Sequence, residues 1–187
     1  FAGTVCEKKG IHQLIKAMPA VIQKNKDVKL YIYGRDWFFP NGKSYIDYLK
    51  NEVLPKLGEI NQHIFFMGSV PFKTLALKYA EAEVCVFPSL METQGLVAPE
   101  AMAMNKLVLF SECGPGPETI EHKKTGLLCN PYKVEDIAQQ INWALRHKIV
   151  GETIAERGRA FVLNHFEINK ITQQNIDFYA HINENLV

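Results

Sequence analysis

The sequence lacks the short motifs that most often bind phosphate or metal ions. It contains neither the Gly-x-Gly-x-x-Gly pattern of dinucleotide-binding proteins nor the Gly-Lys-Ser/Thr ending of a P-loop. It also lacks Asp-x-Asp, which would hold a metal-bound diphosphate, and His-x-x-x-His, and no Ser/His/Asp order suggests a hydrolase. A Rossmann dehydrogenase and a hydrolase are therefore disfavoured, and no metal site is predicted.

Charge imbalance and long apolar runs are missing as well. The 187 residues carry a formal net charge of +1, so no general attraction to nucleic acid or to an anionic membrane is implied. No apolar run approaches the ~18 residues that span a bilayer, and no signal-peptide pattern is recognisable. The four cysteines form no Cys-x-x-Cys pair, which argues against a zinc site or disulfides and favours a reducing, cytoplasmic setting.

Short apolar runs alternate with helical patterns. Strands are predicted at residues 1–3, 29–33, 64–67, 84–87, 107–110 and 127–129. Helices are predicted at residues 11–24, 45–57, 72–82 and 97–104, followed by three in succession at 134–147, 152–164 and 169–185. Most strand candidates are continuously apolar, as in strands buried on both faces of a parallel sheet. The order predicts an α/β fold, a Rossmann-like doubly wound parallel sheet with additional C-terminal helices.

We expect residues 1–187 to form a single domain, because no repeat, low-complexity segment or Pro/Gly/Ser linker divides them. Phe1 lies inside an apparent strand and is not a methionine, so we expect the chain to be a fragment of a longer protein. Ligands of a doubly wound sheet bind at the carboxyl ends of its strands. The loops that follow the strands are therefore the place to look for a site.

The loop after the fourth predicted strand is the most informative. It places Glu92 before the predicted helix, Gly95 near the helix start and Glu100 about one turn inside. The free amides of a helix N-terminus attract phosphates, whereas a carboxylate suits two adjacent sugar hydroxyls. Taken singly, Glu92 could instead cap the loop, and Glu100 could be a first-turn glutamate favoured by the helix dipole.

Other loops offer complementary groups. The first runs from Gly3 to Gly10 and has a basic tip at Lys8 and Lys9. A lysine there either contributes electrostatically to phosphate binding or is a solvated surface residue. Gly68 exposes backbone groups after the third strand, which suits a base edge or simply a turn before Pro71. The Gly/Pro-rich loop 113–118 either shapes a sugar pocket or turns the chain.

Together these segments resemble a known family. The matching stretches are Gly3 with Lys9-Gly10, residues 31–34 (YIYG), 65–70 (FFMGSV), 82–89 (AEVCVFPS), Glu92 with residues 100–103 (EAMA), 116–120 (GPETI) and 126–128 (GLL). In this order and spacing they resemble the C-terminal domain of GT-B-fold glycosyltransferases of family 4, the group 1 glycosyl transferases. The resemblance covers roughly residues 1–145.

The resemblance implies a role for each matching residue. Lys9 would hold the diphosphate and stabilise its charge as it leaves, and Glu92 would hold hydroxyls of the donor sugar; these two are the catalytic candidates. Glu100 would bind the ribose hydroxyls. Backbone amides around Gly95, Leu96 and Val97 would meet the phosphates, and Gly68, Ser69 and Val70 would border the base. The other donor-binding candidates are Gly3, Thr4 and Arg35.

The sequence departs from the family pattern at Thr4, where the family usually has arginine. A second cation for the diphosphate is therefore in doubt at that position. Arg35 and Lys8 are the two residues that could substitute for it.

The resemblance implies the donor-binding half of a retaining, hexosyltransferase-type enzyme that uses a nucleotide diphosphate sugar and needs no metal or other cofactor. The acceptor site would belong to an N-terminal domain, so this chain alone should bind the donor weakly and have little or no transferase activity. The family suggests polysaccharide, lipopolysaccharide or glycolipid synthesis in the cytoplasm, with peripheral membrane association confined to the full-length enzyme. Alternatives are a non-catalytic nucleotide-sugar-binding module, which Thr4 favours, and a sugar epimerase; a phosphorylase would need a pyridoxal lysine and more chain.

Overall fold

A computed structural model describes residues 1–185 as a parallel α/β fold, which confirms the predicted class. The strands are β1 (Leu30–Tyr33), β2 (Ile64–Gly68), β3 (Cys85–Phe87), β4 (Val108–Ser111) and β5 (Leu127–Cys129). The helices are α1 (Ile11–Lys24), α2 (Tyr45–Tyr48), α3 (Phe72–Glu81), α4 (Val97–Ala103), α5 (Gly116–Thr119), α6 (Val134–Arg146), α7 (Lys148–His165) and α8 (Ile168–Asn185). No helix in this part of the chain is both long and apolar enough to cross a membrane.

The strands form two hydrogen-bonded groups, β1-β2 and β3-β4-β5, with every pairing parallel. The predicted strand at residues 1–3 is instead an extended segment held beside β1 by isolated bridges, from Ala2 to Tyr33 and from Val5 to Asp36. The ring of Phe1 packs against Phe87 in β3, with 6.5 Å between their centroids. This segment therefore contacts the β1-β2 group through its backbone and the β3-β4-β5 group through the Phe1 ring.

Burial explains which strands the sequence predicts best. Every residue of β3 and β4 is buried, and all of them except Ser111 at the end of β4 are apolar, as expected of strands covered on both faces. β1 differs, because Leu30 and Ile32 are buried whereas Tyr31 is 42% exposed and stacks on Phe65 of β2. One core is formed by α1, α6 and buried residues of all five strands, and a second lies between α3, α4 and the β3–β4 strands.

The helix predicted at residues 45–57 is shorter than expected. Only Tyr45–Tyr48 is α-helical; a π-helical turn, Leu49–Val53, and a 3₁₀ turn, Leu54–Leu57, follow it. Pro55 has no N–H to donate and its ring disfavours a continuing α-helix, so the apolar periodicity continues while the helix geometry changes. The third predicted C-terminal helix begins at Ile168, and the second begins earlier than predicted, at Lys148.

Candidate functional site

The loops after the first segment, β1 and β2 are bound to one another through their backbones. Gly3 N–H donates to the Tyr33 carbonyl at 3.0 Å, and Gly34 N–H donates to the Gly68 carbonyl at 2.9 Å. A side chain at Gly34 would place its Cβ only 1.8 Å from the Gly3 carbonyl oxygen. The glycine thus allows the two backbones to approach closely, which aligns three loops at the carboxyl edge.

A pocket of about 260 Å³ opens where these loops meet. Five predicted donor-binding residues line it: Gly3, Thr4, Arg35, Ser69 and Val70. Three lining residues were not predicted as site residues: Tyr33, Gly34 and Leu75. Tyr33 and Gly34 belong to the strand-ending run YIYG, which was the available signal, whereas nothing in the sequence indicates which face of α3 presents Leu75. Gly68 is exposed beside the pocket and is not one of its lining residues.

The two catalytic candidates contact each other directly. The Lys9 ammonium forms an ion pair with the Glu92 carboxylate, and the Glu92 side chain is only 8% exposed whereas that of Lys9 is 27% exposed. Glu92 also accepts hydrogen bonds from Thr93 N–H at 3.1 Å and from Ser89 Oγ at 3.5 Å. Glu92 does contact the backbone of its own loop, as the simple capping interpretation requires, but it also bonds a cation from the first loop.

The backbone supports this ion pair. The Lys8 carbonyl accepts hydrogen bonds from Leu90 N–H at 2.8 Å and from Met91 N–H at 3.1 Å. These bonds join the tip of the first loop to the loop that carries Glu92. The side chain of Lys8 is exposed and does not line the pocket.

Glu100 lies in the first turn of α4 and is half-buried. It accepts a 3.4 Å hydrogen bond from the hydroxyl of Tyr79 on α3. Burial raises the pKa of the Glu100 carboxyl above its usual range, and the hydrogen bond from Tyr79 offsets part of that rise. Burial also raises the pKa of Tyr79, with the charge of Glu100 adding to the effect, so Tyr79 acts as the donor. Tyr79 was not predicted, although it follows Leu75 by four positions, one helical turn.

The turn into α4 contains the three residues predicted to meet phosphates. Ala98 N–H donates to the Gly95 carbonyl at 3.0 Å, and Glu100 N–H donates to the Leu96 carbonyl at 2.9 Å. The hydrogen bonds of the helix therefore begin here, and the N–H groups that precede Ala98 take no part in them. Leu96 is 54% exposed. Gly95 has a positive φ of 68°, and a Cβ there would lie 2.4 Å from the Phe110 ring. Packing on β4 therefore explains this glycine fully, and the phosphate role of Gly95, Leu96 and Val97 stays a prediction.

Two further sequence features have structural positions. In the Gly/Pro-rich loop, a Cβ at Gly114 would lie 3.1 Å from the Glu92 carbonyl oxygen, so this loop borders the Glu92 loop. Among residues 1–185, no group of three or more His, Cys, Asp or Glu side chains converges in the way metal ligands do.

The family model for group 1 glycosyl transferases matches residues 1–147. The chain is 30% identical over 179 residues to the uncharacterized glycosyltransferase MJ1607 of Methanocaldococcus jannaschii, covering 96% of this chain and 43% of that protein. It is 26% identical over 181 residues to the GDP-mannose-dependent alpha-(1-6)-phosphatidylinositol monomannoside mannosyltransferase of Mycobacterium tuberculosis, covering 91% and 44%.

Among solved structures, Alr3699/HepE of Anabaena in complex with UDP superposes with a TM-score of 0.84 at 25% identity. The match covers 96% of this chain and 48% of that one. The chain therefore spans less than half the length of each of these three proteins, and its fold is that of the GT-B neighbours.

Proposed function

The chain belongs to the group 1 glycosyl transferases, and on that premise we propose that it is the donor-binding part of a retaining hexosyltransferase. The enzyme would transfer a sugar from a nucleotide diphosphate sugar to an acceptor hydroxyl. The relatives include a GDP-mannose-dependent enzyme and a protein solved with UDP, so the proposal includes both guanine and uracil as the base of the donor. The acceptor would bind to a part of the protein outside these 187 residues.

The contact between Lys9 and Glu92 carries this proposal. A nucleotide sugar has anionic phosphates directly joined to a hydroxyl-rich ring, so its site must offer a cation and hydrogen-bond acceptors side by side. Lys9 and Glu92 are such a pair, and Glu92 is the more buried partner. Glu100, with its Tyr79 hydrogen bond, adds a second acceptor on the same loop-helix element, at the position proposed for the ribose.

Chemically, the acceptor hydroxyl attacks the anomeric carbon on the face that the diphosphate leaves, so the configuration is retained. The bond from this carbon to the diphosphate oxygen breaks, and the hydroxyl proton passes to the departing diphosphate. The difficulty is the negative charge that grows on the departing diphosphate. In the proposal Lys9 and the amides at the start of α4 stabilise this charge electrostatically, without a metal or other cofactor. Glu92 and Glu100 hold the sugar and the ribose, which fixes the reacting carbon relative to the acceptor.

The wider setting is part of the same proposal. We propose that the full-length enzyme is cytoplasmic and associates peripherally with a membrane where its acceptor is a lipid. We also propose that it acts in polysaccharide, lipopolysaccharide or glycolipid synthesis. The 187 residues alone would bind the donor and complete little or no transfer. A non-catalytic binding module with the same fold would bind the donor in the same way. The two functions are distinguished by measuring sugar transfer with a longer protein that includes the acceptor site, because only the enzyme would transfer the sugar.

Replacing Glu100 by alanine should weaken donor binding by about 10- to 100-fold, because two hydroxyl hydrogen bonds to a charged acceptor are lost. The measurement is calorimetric titration with UDP, GDP and ADP sugars. Glu135 is the matched control, since it is also a first-turn glutamate, on α6, and Glu135→Ala should change affinity less than twofold. If no nucleotide sugar bound even at millimolar concentration, the proposed function would be wrong; equal effects of both substitutions would refute the ribose assignment.

Donor affinity should also fall in weakly acidic solution. The pKa of Glu100 is raised by burial, so its carboxylate takes up a proton at a higher pH than an ordinary glutamate, whose pKa is about 4.3. The affinity is then constant above the raised pKa and declines as the pH falls through it. Nucleotide sugars suit this titration because their diphosphate has no terminal phosphate to titrate. In Glu100→Gln the decline should disappear; an unchanged decline would assign it to another group.

A further inference from the structure

The pocket at the carboxyl edge of β1 contains one charged side chain. Of the residues that line it, only Arg35 is ionised at neutral pH. Within residues 1–185, no ion pair or side-chain hydrogen bond engages the Arg35 guanidinium. An exposed and uncompensated guanidinium beside a concave surface attracts anions, and its planar donors suit phosphate oxygens.

The neighbouring acid does not neutralise Arg35. Asp36 Oδ1 accepts hydrogen bonds from Trp37 N–H at 2.9 Å and Ile46 N–H at 3.0 Å, and Oδ2 accepts from Ser44 Oγ at 2.6 Å. Its carboxylate is therefore occupied in fixing the loop after β1 to the start of α2. The Arg35 carbonyl accepts from Val5 N–H at 2.9 Å, which holds the Arg35 backbone in register with the first loop.

The charges on the first loop also indicate that Arg35 is the cation of the pocket. The ammonium of Lys9 is compensated by Glu92 in the ion pair, so the pair has no net charge. Lys8 is exposed and does not line the pocket. Thr4, which lines the pocket beside Arg35, is uncharged. Of the three basic residues near these loops, Arg35 is the one that adds net positive charge to the pocket.

We propose that Arg35 binds the phosphates of the donor in this pocket, and that Lys8 does not. The inference rests on the proposed function, because it takes the ligand to be a nucleoside diphosphate or its sugar. It separates two tasks: Arg35 contributes binding energy for the phosphates, whether or not a sugar is attached, whereas Lys9 and Glu92 together recognise the junction between phosphate and sugar.

The test compares Arg35→Gln with Lys8→Gln in the 187-residue chain. Each variant is titrated with nucleoside diphosphates, UDP, GDP and ADP, by calorimetry at low and high salt, and with the corresponding nucleosides by ligand-observed NMR. Arg35→Gln should weaken diphosphate binding about tenfold, flatten its salt dependence and leave nucleoside binding unchanged. Lys8→Gln should change diphosphate binding less than twofold. Arg35→Lys should recover part of the loss, because it keeps the charge but not the planar donors.

The outcomes separate the two proposals. If no diphosphate bound the unchanged chain, the proposed function and the role of Arg35 would fail together. If a diphosphate bound and Arg35→Gln left its affinity unchanged, only the role of Arg35 would fail. An equal loss of nucleoside and diphosphate binding, or an equal effect of Lys8→Gln, would also overturn it. Because the Arg35 side chain is exposed, the substitutions should leave the thermal unfolding midpoint unchanged, which shows that each variant is folded.

Discussion

Replacing Gly10 by alanine should lower the free energy of unfolding by roughly 2–5 kcal/mol. Gly10 has a φ of 67°, a left-handed conformation that alanine adopts only at a cost. A Cβ there would lie 1.8 Å from the Pro88 carbonyl oxygen and 2.8 Å from the Pro88 carbonyl carbon. Because these are backbone atoms, no side-chain rotation relieves the contact, and the two loops must separate.

Gly42→Ala is the matched control for this substitution. Gly42 has a φ of 79°, yet nothing lies within 4 Å of a Cβ at that position. It should therefore show the conformational cost alone, about 1–2 kcal/mol. Urea unfolding of both variants measures the difference. Equal destabilisation would show that the approach of Gly10 to Pro88 does not matter for stability.

The second large effect is expected at the ion pair. Replacing Lys9 by methionine leaves the Glu92 carboxylate, 8% exposed, without its cation, and should cost roughly 1–3 kcal/mol of unfolding free energy. This is below the 3–5 kcal/mol of a fully buried pair, because the Lys9 side chain is 27% exposed. Adding Glu92→Gln to Lys9→Met should recover part of the loss, since no charge then remains to be solvated.

The exposed pair of Lys124 and Glu121 provides the comparison. Both side chains are more than 60% exposed, so Lys124→Met should change stability by about 0.5 kcal/mol or less. A double-mutant cycle by denaturant unfolding gives the coupling energy of each pair. If the Lys9–Glu92 coupling were no larger than that of the Lys124–Glu121 pair, Glu92 would be an ordinary loop residue in energetic terms.

The sequence predicts the central strands well and the ends of elements less well. Residues 84–87 and 107–110 correspond closely to β3 and β4, because strands covered on both faces have a continuous apolar run. The extended segment at residues 1–3 is apolar too, but it forms isolated bridges rather than a regular ladder. Whether an apolar run pairs regularly depends on its neighbours in space, and its own residues do not specify them.

The sequence also predicts only part of the candidate site. The loops that carry Lys9, Glu92 and Glu100 were identified from their position after strands, and the structure brings the first two into contact. The partner of Glu100 was missed, because the hydroxyl of Tyr79 comes from α3 and its direction depends on how that helix packs. Likewise, the sequence offers both Arg35 and Lys8 as substitutes for the missing arginine, and the pocket lining includes Arg35 but not Lys8.

The separation of Lys9 and Glu92 along the chain has a consequence for folding. The two residues are 83 positions apart, and closing so long a loop costs entropy that a single ion pair in an otherwise disordered chain could not offset. The strands and helices between them must be ordered before the ammonium and the carboxylate can meet. The pair should therefore form late on the folding pathway, together with the backbone bonds from Leu90 and Met91 to Lys8. A nascent chain that ends before Glu92 would contain every residue that lines the pocket but neither Glu92 nor Glu100.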